Sequence, residues 1–241
     1  MNQLPSLLAL FPTLVWVLIW IWIRPATGAF KLLIVGLFAG ASLAIPVWLA
    51  ETLVDQLADP QHRWSRDFLE QVIGAACCEE GIKFAGVMGI LKWFDKTRHK
   101  GTSLGENGAH PWDAVPCALV IAIGFMTVEN LIAITAAPSP TSMALSRQMT
   151  LLAGHPSYQL VMGYSLARWR LQHKAGWMIA AIAVPIFLHG WGDFSEQLFQ
   201  DEPDHGSTRD TIEFVAWIGS ITASLIASVA VLASVSKRPR I

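Results

Sequence analysis

The chain has 241 residues, of which 53% are hydrophobic and only 15% are charged, and its formal net charge is −1. Soluble domains carry roughly 25% charged residues, so this composition argues against a soluble globular protein. It also argues against nucleic acid as a partner, since phosphate backbones require a clustered basic face. The three cysteines all lie in apolar runs, so no disulfide framework is expected. We predict one all-α integral-membrane domain over residues 1–241.

Apolar runs of about 20 residues recur along the chain, and each is long enough to cross a bilayer as a helix. The first run lacks a basic segment before it and a clear cleavage site after it, so we predict a retained helix rather than a signal peptide. The result is a multi-pass helix bundle embedded in the lipid bilayer. The seven predicted transmembrane helices lie near residues 4–23, 32–50, 68–94, 113–136, 148–168, 176–199 and 212–235.

Lysine and arginine are unevenly divided between the two sides of this predicted bundle. One side holds Arg24, Lys31, Lys92, Lys96, Arg98, Lys100, Arg168, Arg170, Lys174, Lys237, Arg238 and Arg240. The other side holds only Arg63, Arg66, Arg147 and Arg209. Because cytoplasmic loops keep the excess of positive charge, we predict that the N-terminus is outside and the C-terminus inside. The acidic segment at residues 200–204 then faces outwards.

Several ionisable or strongly polar residues lie inside the predicted third to sixth spans. A charge at mid-bilayer costs roughly 2.5–3.5 kcal/mol, so such residues are functional candidates by default. At about 1.5 Å per residue, their depths overlap in the outer half of the membrane. We therefore predict that six of them converge on one polar pocket, although any one alone would more simply be a hydrogen-bond partner between helices. The six are Glu79, Glu80, Glu129, His155, His189 and Asp193.

Glu79 and Glu80 lie on the same predicted helix as a lysine, Lys83. Glu79 and Lys83 are four residues apart and meet on one helix face, whereas Glu80 is rotated away by about 100°. One glutamate can therefore be held by the lysine while the other performs chemistry, and the spacing leaves open which is which. On the sixth span, Pro185 predicts a kink four residues before His189.

The order of these motifs resembles the PrsW family of bacterial intramembrane proteases, within the superfamily that includes the type II CAAX prenyl endopeptidases. The family patterns are EExxK, FxxxEN, a later histidine and HxxxD. The resemblance covers about residues 67–195, which we regard as the catalytic core. The matching residues are Glu79, Glu80 and Lys83, then Phe125, Glu129 and Asn130, then His155, and finally His189 and Asp193.

The resemblance implies an endopeptidase in the bacterial cytoplasmic membrane whose substrate is a membrane-anchored protein, an anti-sigma factor in the best-known case. Lys83 and Asn130 are then supporting residues. The predicted depth of the pocket favours a cut near the substrate's extracytoplasmic boundary, where an extended peptide is easier to form than in the middle of a stable span.

Amide hydrolysis needs an activated water, oxyanion stabilisation and a proton for the leaving amine, and these residues allow two mechanisms. In the first, Glu129, His155 and His189 bind Zn²⁺ and leave a position for water, with Glu79 or Glu80 as general base. No HExxH helix is present to support it.

In the second, no metal takes part. Glu79 and Glu129 activate the water, His189 stabilises the oxyanion and Asp193 orients His189. A thiol mechanism through Cys78 is disfavoured, because no histidine lies in its short motif. Two other classes of protein stay open: a proton or metal-ion transporter, disfavoured by the lack of an internal repeat, and a non-catalytic protein that binds membrane helices.

Overall fold

The computed structural model describes residues 4–24, 29–56, 63–99, 110–200 and 208–237, and within these ranges all regular structure is helical. Residues 201–204 of the predicted acidic segment at 200–204 lie outside the described residues. The helices are α1 Leu4–Ile23, α2 Ala29–Asp55, α3 Arg63–Phe68, α4 Cys78–His99, α5 Ala114–Ala136, α6 Pro140–Ala153, α7 His155–Gln172, α8 Ala175–Gln200 and α9 Thr208–Ser236. A π-helix at Leu69–Cys77 joins α3 to α4, and a 3₁₀ turn at Pro111–Asp113 precedes α5.

Four helices in the described part of the chain are long and apolar enough to cross a membrane. They cover residues 29–54, 111–136, 175–197 and 214–236, and residues 7–23 form a shorter apolar helix. The chain is therefore an all-α membrane protein. The count of seven spans and the orientation stay predictions, since the segments predicted near 68–94 and 148–168 are not among these four helices.

The predicted fifth span at 148–168 is wrong as a single helix, because the chain breaks at Gly154. The backbone of Gly154 has φ −85° and ψ −124°, outside the helical region, and it separates α6 from α7. Pro156 follows in the first turn of α7, where its missing N–H costs no helical hydrogen bond. As a result His155 is the first residue of a helix, instead of lying about two turns inside one.

Helix α5 lies at the centre of the bundle, with every residue from 114 to 126 buried. Its crossing with α2 is very close. A Cβ atom on Gly40 of α2 would lie 2.1 Å from the carbonyl oxygen of Ile121, and one on Gly124 of α5 would lie 2.2 Å from that of Leu37. Small residues permit such approaches in membranes, where packing holds helices together. This crossing brings α2 against the centre of the site-bearing bundle.

The π-helix ends directly before the paired glutamates. Such helices are rare and occur mostly as single turns near functional sites, yet this one has nine residues. It lies between α2 and α8, and glycines allow close packing on both sides. A Cβ on Gly74 would lie 3.2 Å from Val54, and one on Gly190 of α8 would lie 3.1 Å from Ala76. The start of α4 is thereby held against α8.

Candidate functional site

A cavity of about 340 Å³ lies where the π-helix meets α2 and α4 to α9. Five of the six predicted residues line it, and the sixth, Glu80, lies directly behind Glu79. The lining consists of Glu51, Gln71, Ala75, Glu79, Glu129, Arg147, Ala153, Gly154, His155, Tyr158, His189, Gly192, Asp193, Glu196, Gln197, Trp217, Ser220 and Ile221. Acidic and imidazole side chains from separate helices thus share one space.

The ammonium group of Lys83 is completely buried at the base of this cluster. Its Nζ donates to Glu79 Oε2 at 2.6 Å and to Glu80 Oε1 at 3.0 Å, and it lies 3.0 Å from His155 Nδ1. Nζ also lies 4.0 Å from the centre of the Phe125 ring. One lysine therefore holds both glutamates of α4 and a histidine of α7, whereas the sequence predicted that it holds only one of the two glutamates.

The two glutamates differ in their access to the cavity. Glu80 is fully buried, and both of its carboxylate oxygens have partners. Oε2 accepts from Gln159 Nε2 at 2.6 Å, and Oε1 contacts His189 Nδ1 at 3.0 Å as well as Lys83. Glu79 is 6% exposed and lines the cavity. Only Glu79 of this pair can meet water or a substrate without rearrangement.

His189 of α8 lies between two carboxylates. Its Nδ1 contacts Glu80 at 3.0 Å, and its Nε2 lies 2.9 Å from Asp193 Oδ2, one turn later on the same helix. Nε2 is also 4.0 Å from Glu79 Oε1. A carboxylate only accepts hydrogen bonds, so the imidazolium form is the one that can donate to both.

His155 has a different pair of neighbours. Nδ1 faces Lys83, which has only protons to donate, so Nδ1 is the acceptor in this contact. The proton of a neutral ring is then on Nε2, which lies 2.6 Å from Glu129 Oε2. The two histidines, whose ring centres are 5.0 Å apart, thus face different partners: carboxylates on both nitrogens of His189, but an ammonium and a carboxylate on those of His155.

Glu129 and Asn130 point to different places, although they are adjacent in the sequence. Glu129 lines the cavity and pairs with Arg147 of α6. Asn130 is buried away from the cavity and donates to the carbonyl of Ala9 in α1 at 2.7 Å. The side chain of Asn130 therefore joins α5 to α1, whereas that of Glu129 belongs to the cluster.

Tyr158 provides an aromatic surface behind the histidines. Its ring stacks on that of His189 with centres 5.1 Å apart and an interplanar angle of 21°, and it meets His155 edge to face at 6.2 Å. Its hydroxyl lies against Gly192, where a Cβ would be 3.2 Å from the oxygen. Glycine at position 192 therefore leaves the space that this tyrosine occupies.

Sequence reasoning missed several polar residues of this region, among them Glu51, Arg147, Tyr158 and Gln159. Gln159 lies four residues after His155, so helical spacing alone places it on the same face. The charge count places Arg147 on the outer side, and only the break at Gly154 shows that it lies on a separate helix, α6, and lines the cavity. Glu51 gives the weaker signal of an acid near the end of an apolar run, and Tyr158 gives none beyond its helical spacing.

A group of four side chains in the described part of the chain can hold a metal ion: Glu79, Glu80, His155 and His189. Their ligand atoms all lie within 4.8 Å of one another. Two imidazoles and two carboxylates are a donor set that suits zinc, so the residues fit a metal in type and spacing. The predicted set shares both histidines with this group, whereas Glu129 lies outside it. Lys83 contacts three of the four residues, so a metal and this lysine would compete for the same lone pairs.

Comparison with known proteins gives a consistent result. Residues 28–226 match the sequence profile of a family described as PrsW family intramembrane metalloproteases. A protein named Protease PrsW from Clostridioides difficile strain 630 is 23% identical over 202 residues, which is 78% of this chain and 77% of that protein. Protease PrsW from Geobacillus kaustophilus is 26% identical over 127 residues, 52% of this chain and 55% of that protein. No solved structure matches the chain.

Proposed function

Since the chain belongs to the PrsW family of intramembrane proteases, we propose that it hydrolyses a peptide bond of a membrane-anchored protein near the extracytoplasmic boundary of that protein. One observation carries the proposal. Glu79 faces the cavity while Lys83 and two histidines surround it at 2.6–4.0 Å. A carboxylate, an imidazole and a fixed cation around one accessible space supply the groups that amide hydrolysis requires.

Glu79 is the general base in this proposal. It is the exposed member of the pair, and its Oε1 lies on the side of His189, while Oε2 is held by Lys83. Glu80 instead orients Lys83 and His189, because its two oxygens are already bonded to Lys83, His189 and Gln159. Glu79 is thus chosen over Glu80 because it lines the cavity, whereas both carboxylate oxygens of Glu80 already have hydrogen-bond partners.

His189 is the group that stabilises the oxyanion and supplies a proton to the leaving amine. It lines the cavity, and carboxylates face both of its nitrogens, which favours a protonated ring. Asp193 and Glu80 hold that ring in place. A fixed positive charge that faces the reacting carbonyl stabilises the charge that develops there.

A divalent cation can also be part of this site, with Zn²⁺ the ion that the donor set favours. It would be held by both histidines together with Glu79 and Glu80, and it would polarise the scissile carbonyl when bound. Each histidine would first release one of its present partners. Holding and orienting the substrate remain tasks of the side chains described above, whereas a metal-bound His189 would no longer be the imidazolium that donates a proton.

The proposed topology places this chemistry in the outer half of a bacterial cytoplasmic membrane. Twelve lysines and arginines on one side against four on the other support an outside N-terminus. Single-span proteins with a large extracytoplasmic part, of which an anti-sigma factor is one example, are the substrates that this position favours. Reporter fusions after residues 100 and 205 test the topology, and finding the first outside or the second inside contradicts it.

Reconstitution in lipid vesicles with a panel of single-span proteins tests the activity. We expect new fragments, identified by mass spectrometry, that are absent with Glu79→Gln and unchanged with Glu70→Gln. Glu70 is a matched control because it lies on the same continuous helix, outside the cavity lining. Treatment with a chelator, followed by Zn²⁺, separates the metal mechanism from the metal-free one. Binding of these proteins without fragments from any of them would identify a binding protein instead.

A further inference from the structure

Arg147 lines the cavity, but the roles proposed above for the paired glutamates and the histidines do not include it. It projects from α6 and forms an ion pair between its Nη2 and Glu129 Oε1. The other oxygen of the same carboxylate, Oε2, lies 2.6 Å from His155 Nε2. Glu129 is therefore shared between an arginine on one side and a histidine on the other.

This shared carboxylate fixes how the ring of His155 is turned. Lys83 occupies Nδ1 as a donor, so the proton of a neutral ring is on Nε2, the nitrogen that lies 2.6 Å from Glu129 Oε2. An acceptor at that position keeps this tautomer, as is usual for histidines whose second nitrogen is held by a carboxylate. If Glu129 turned away, the ring would lose the partner that fixes its orientation.

The position of Arg147 is itself fixed from outside the cavity. The next residue, Gln148, donates to the carbonyl of Leu8 in α1 at 3.0 Å and to that of Ala144 at 2.6 Å. Helix α6 is thus tied to α1 by a side chain that does not line the cavity. The break at Gly154 ends α6 and allows it to approach the cluster at an angle independent of α7.

We propose that Arg147 is a positioning residue, which acts through Glu129 to hold the ring of His155 with Nδ1 toward Lys83 and Nε2 toward Glu129. This role rests on the proposed hydrolysis and adds a residue to it. A lysine at position 147 keeps the charge but presents it on a shorter, differently shaped group, so it replaces the arginine only in part.

The first experiment measures kcat and KM in vesicles, with the single-span protein that the wild type cleaves best. For Arg147→Met we expect kcat to fall about 10- to 100-fold with KM within about twofold, because misplacement by about 1 Å costs rate on this scale. Arg147→Lys should restore part of kcat. The control is Arg170→Met, which removes an arginine paired with Asp95 at 3.0 Å, away from the cavity, and should leave kcat within about twofold.

A double variant tests whether the effect passes through Glu129. If it does, adding Arg147→Met to Glu129→Gln lowers kcat by less than about twofold further, because residues that act as a unit are not additive. Independent, multiplying losses would overturn the proposal, as would a rise in KM alone or an equal loss in Arg170→Met.

A second measurement does not depend on proteolysis. In protein labelled with ¹⁵N at histidine, the ring-nitrogen shifts of His155 report its tautomer. We expect a single Nε2–H form in the wild type and a mixture in Arg147→Met, with the signal assigned by its loss in His155→Gln. An unchanged tautomer in Arg147→Met overturns the positioning role, and this result holds whether or not the wild type cleaves any protein of the panel.

Discussion

The polar cluster and the apolar core are built on the same helices but follow different rules. The start of α4 carries Glu79, Glu80 and Lys83, and further along the same helix Val87, Leu91 and Phe94 are equally buried. Helix α7 has the same division, with the site residues in its first turns and the apolar core further along. Each of these two helices therefore contributes residues to both the polar cluster and the apolar core.

The difference lies in how each region is stabilised. In the apolar core the contribution of a side chain to stability depends on how it packs against its neighbours. Truncation of one side chain therefore lowers the stability locally, by an amount that grows with the volume of the cavity left behind. In the polar cluster each group depends on particular partners, and Lys83 alone has three. Removal of one member leaves the others buried without compensation. The polar cluster should therefore respond to substitution as a unit, and the apolar core residue by residue.

The largest effect should come from Glu79→Gln, which replaces one carboxylate oxygen with an NH₂ group and keeps the shape of the side chain. Loss of the general base should lower kcat by about 10²- to 10⁴-fold. The thermal midpoint should change little, because Lys83 still has Glu80 to hold it. Fragment yield and thermal unfolding of the same preparation check both expectations. Retention of full activity in this variant would remove Glu79 from the mechanism.

Lys83→Met should be the most destabilising substitution of the polar cluster. It leaves two buried carboxylates without their shared ammonium, and breaking such a pair costs about 3–5 kcal/mol. Denaturant unfolding in mixed micelles measures the change in the free energy of unfolding. Lys174→Met, which removes an exposed lysine between α7 and α8, is the control and should have almost no effect. Equal values for the two variants would show that the cluster does not depend on Lys83.

The apolar core should lose stability without losing chemistry. Leu166→Ala truncates a fully buried side chain of α7 and should cost about 2–5 kcal/mol. The value of kcat per folded molecule should stay within about twofold of the wild type, since no member of the polar cluster moves. Leu171→Ala is the control, because Leu171 is 46% exposed on the same helix. A large fall in kcat at full folding would mean that the two regions are coupled.

The smallest effect should come from Gly192→Ala. The new methyl group would press on the Tyr158 hydroxyl at 3.2 Å, so the ring stacked on His189 must shift by a few tenths of an ångström. We expect a loss in kcat of up to about 10-fold with little change in stability. Gly219→Ala on α9 adds the same methyl group where no atom lies within 4 Å, and it should behave as wild type.

The sequence is informative about the polar cluster because burial of a charge is costly in lipid. That cost singles out Glu79, Glu129 and His189 without any knowledge of the packing, and depth counting along the helices suffices to propose a shared pocket. The structure brings the six proposed residues together around or directly behind one cavity. Their chemical roles stay a proposal.

What the sequence does not specify is the set of partners. Whether Lys83 holds one glutamate or two depends on side-chain conformations within a single helix turn. The pairing of Glu129 with Arg147 depends on the break at Gly154, and hydropathy, which is averaged over a window of residues, does not locate a break in the backbone. The four residues that can hold a metal ion also differ from the predicted metal ligands, because the distances between side chains on different helices depend on how the helices cross.

The burial of Lys83 also has a consequence for biogenesis. The segment that becomes α4 leaves the ribosome with Glu79, Glu80 and Lys83 on it, and in lipid each of these charges is costly. Most of the groups that surround them, including His155, Gln159 and His189, belong to α7 and α8 and are synthesised later. In the proposed topology, stable integration of α4 therefore requires synthesis to have passed His189, so its entry into the bilayer would be coupled to the arrival of two downstream helices rather than completed in the order of synthesis.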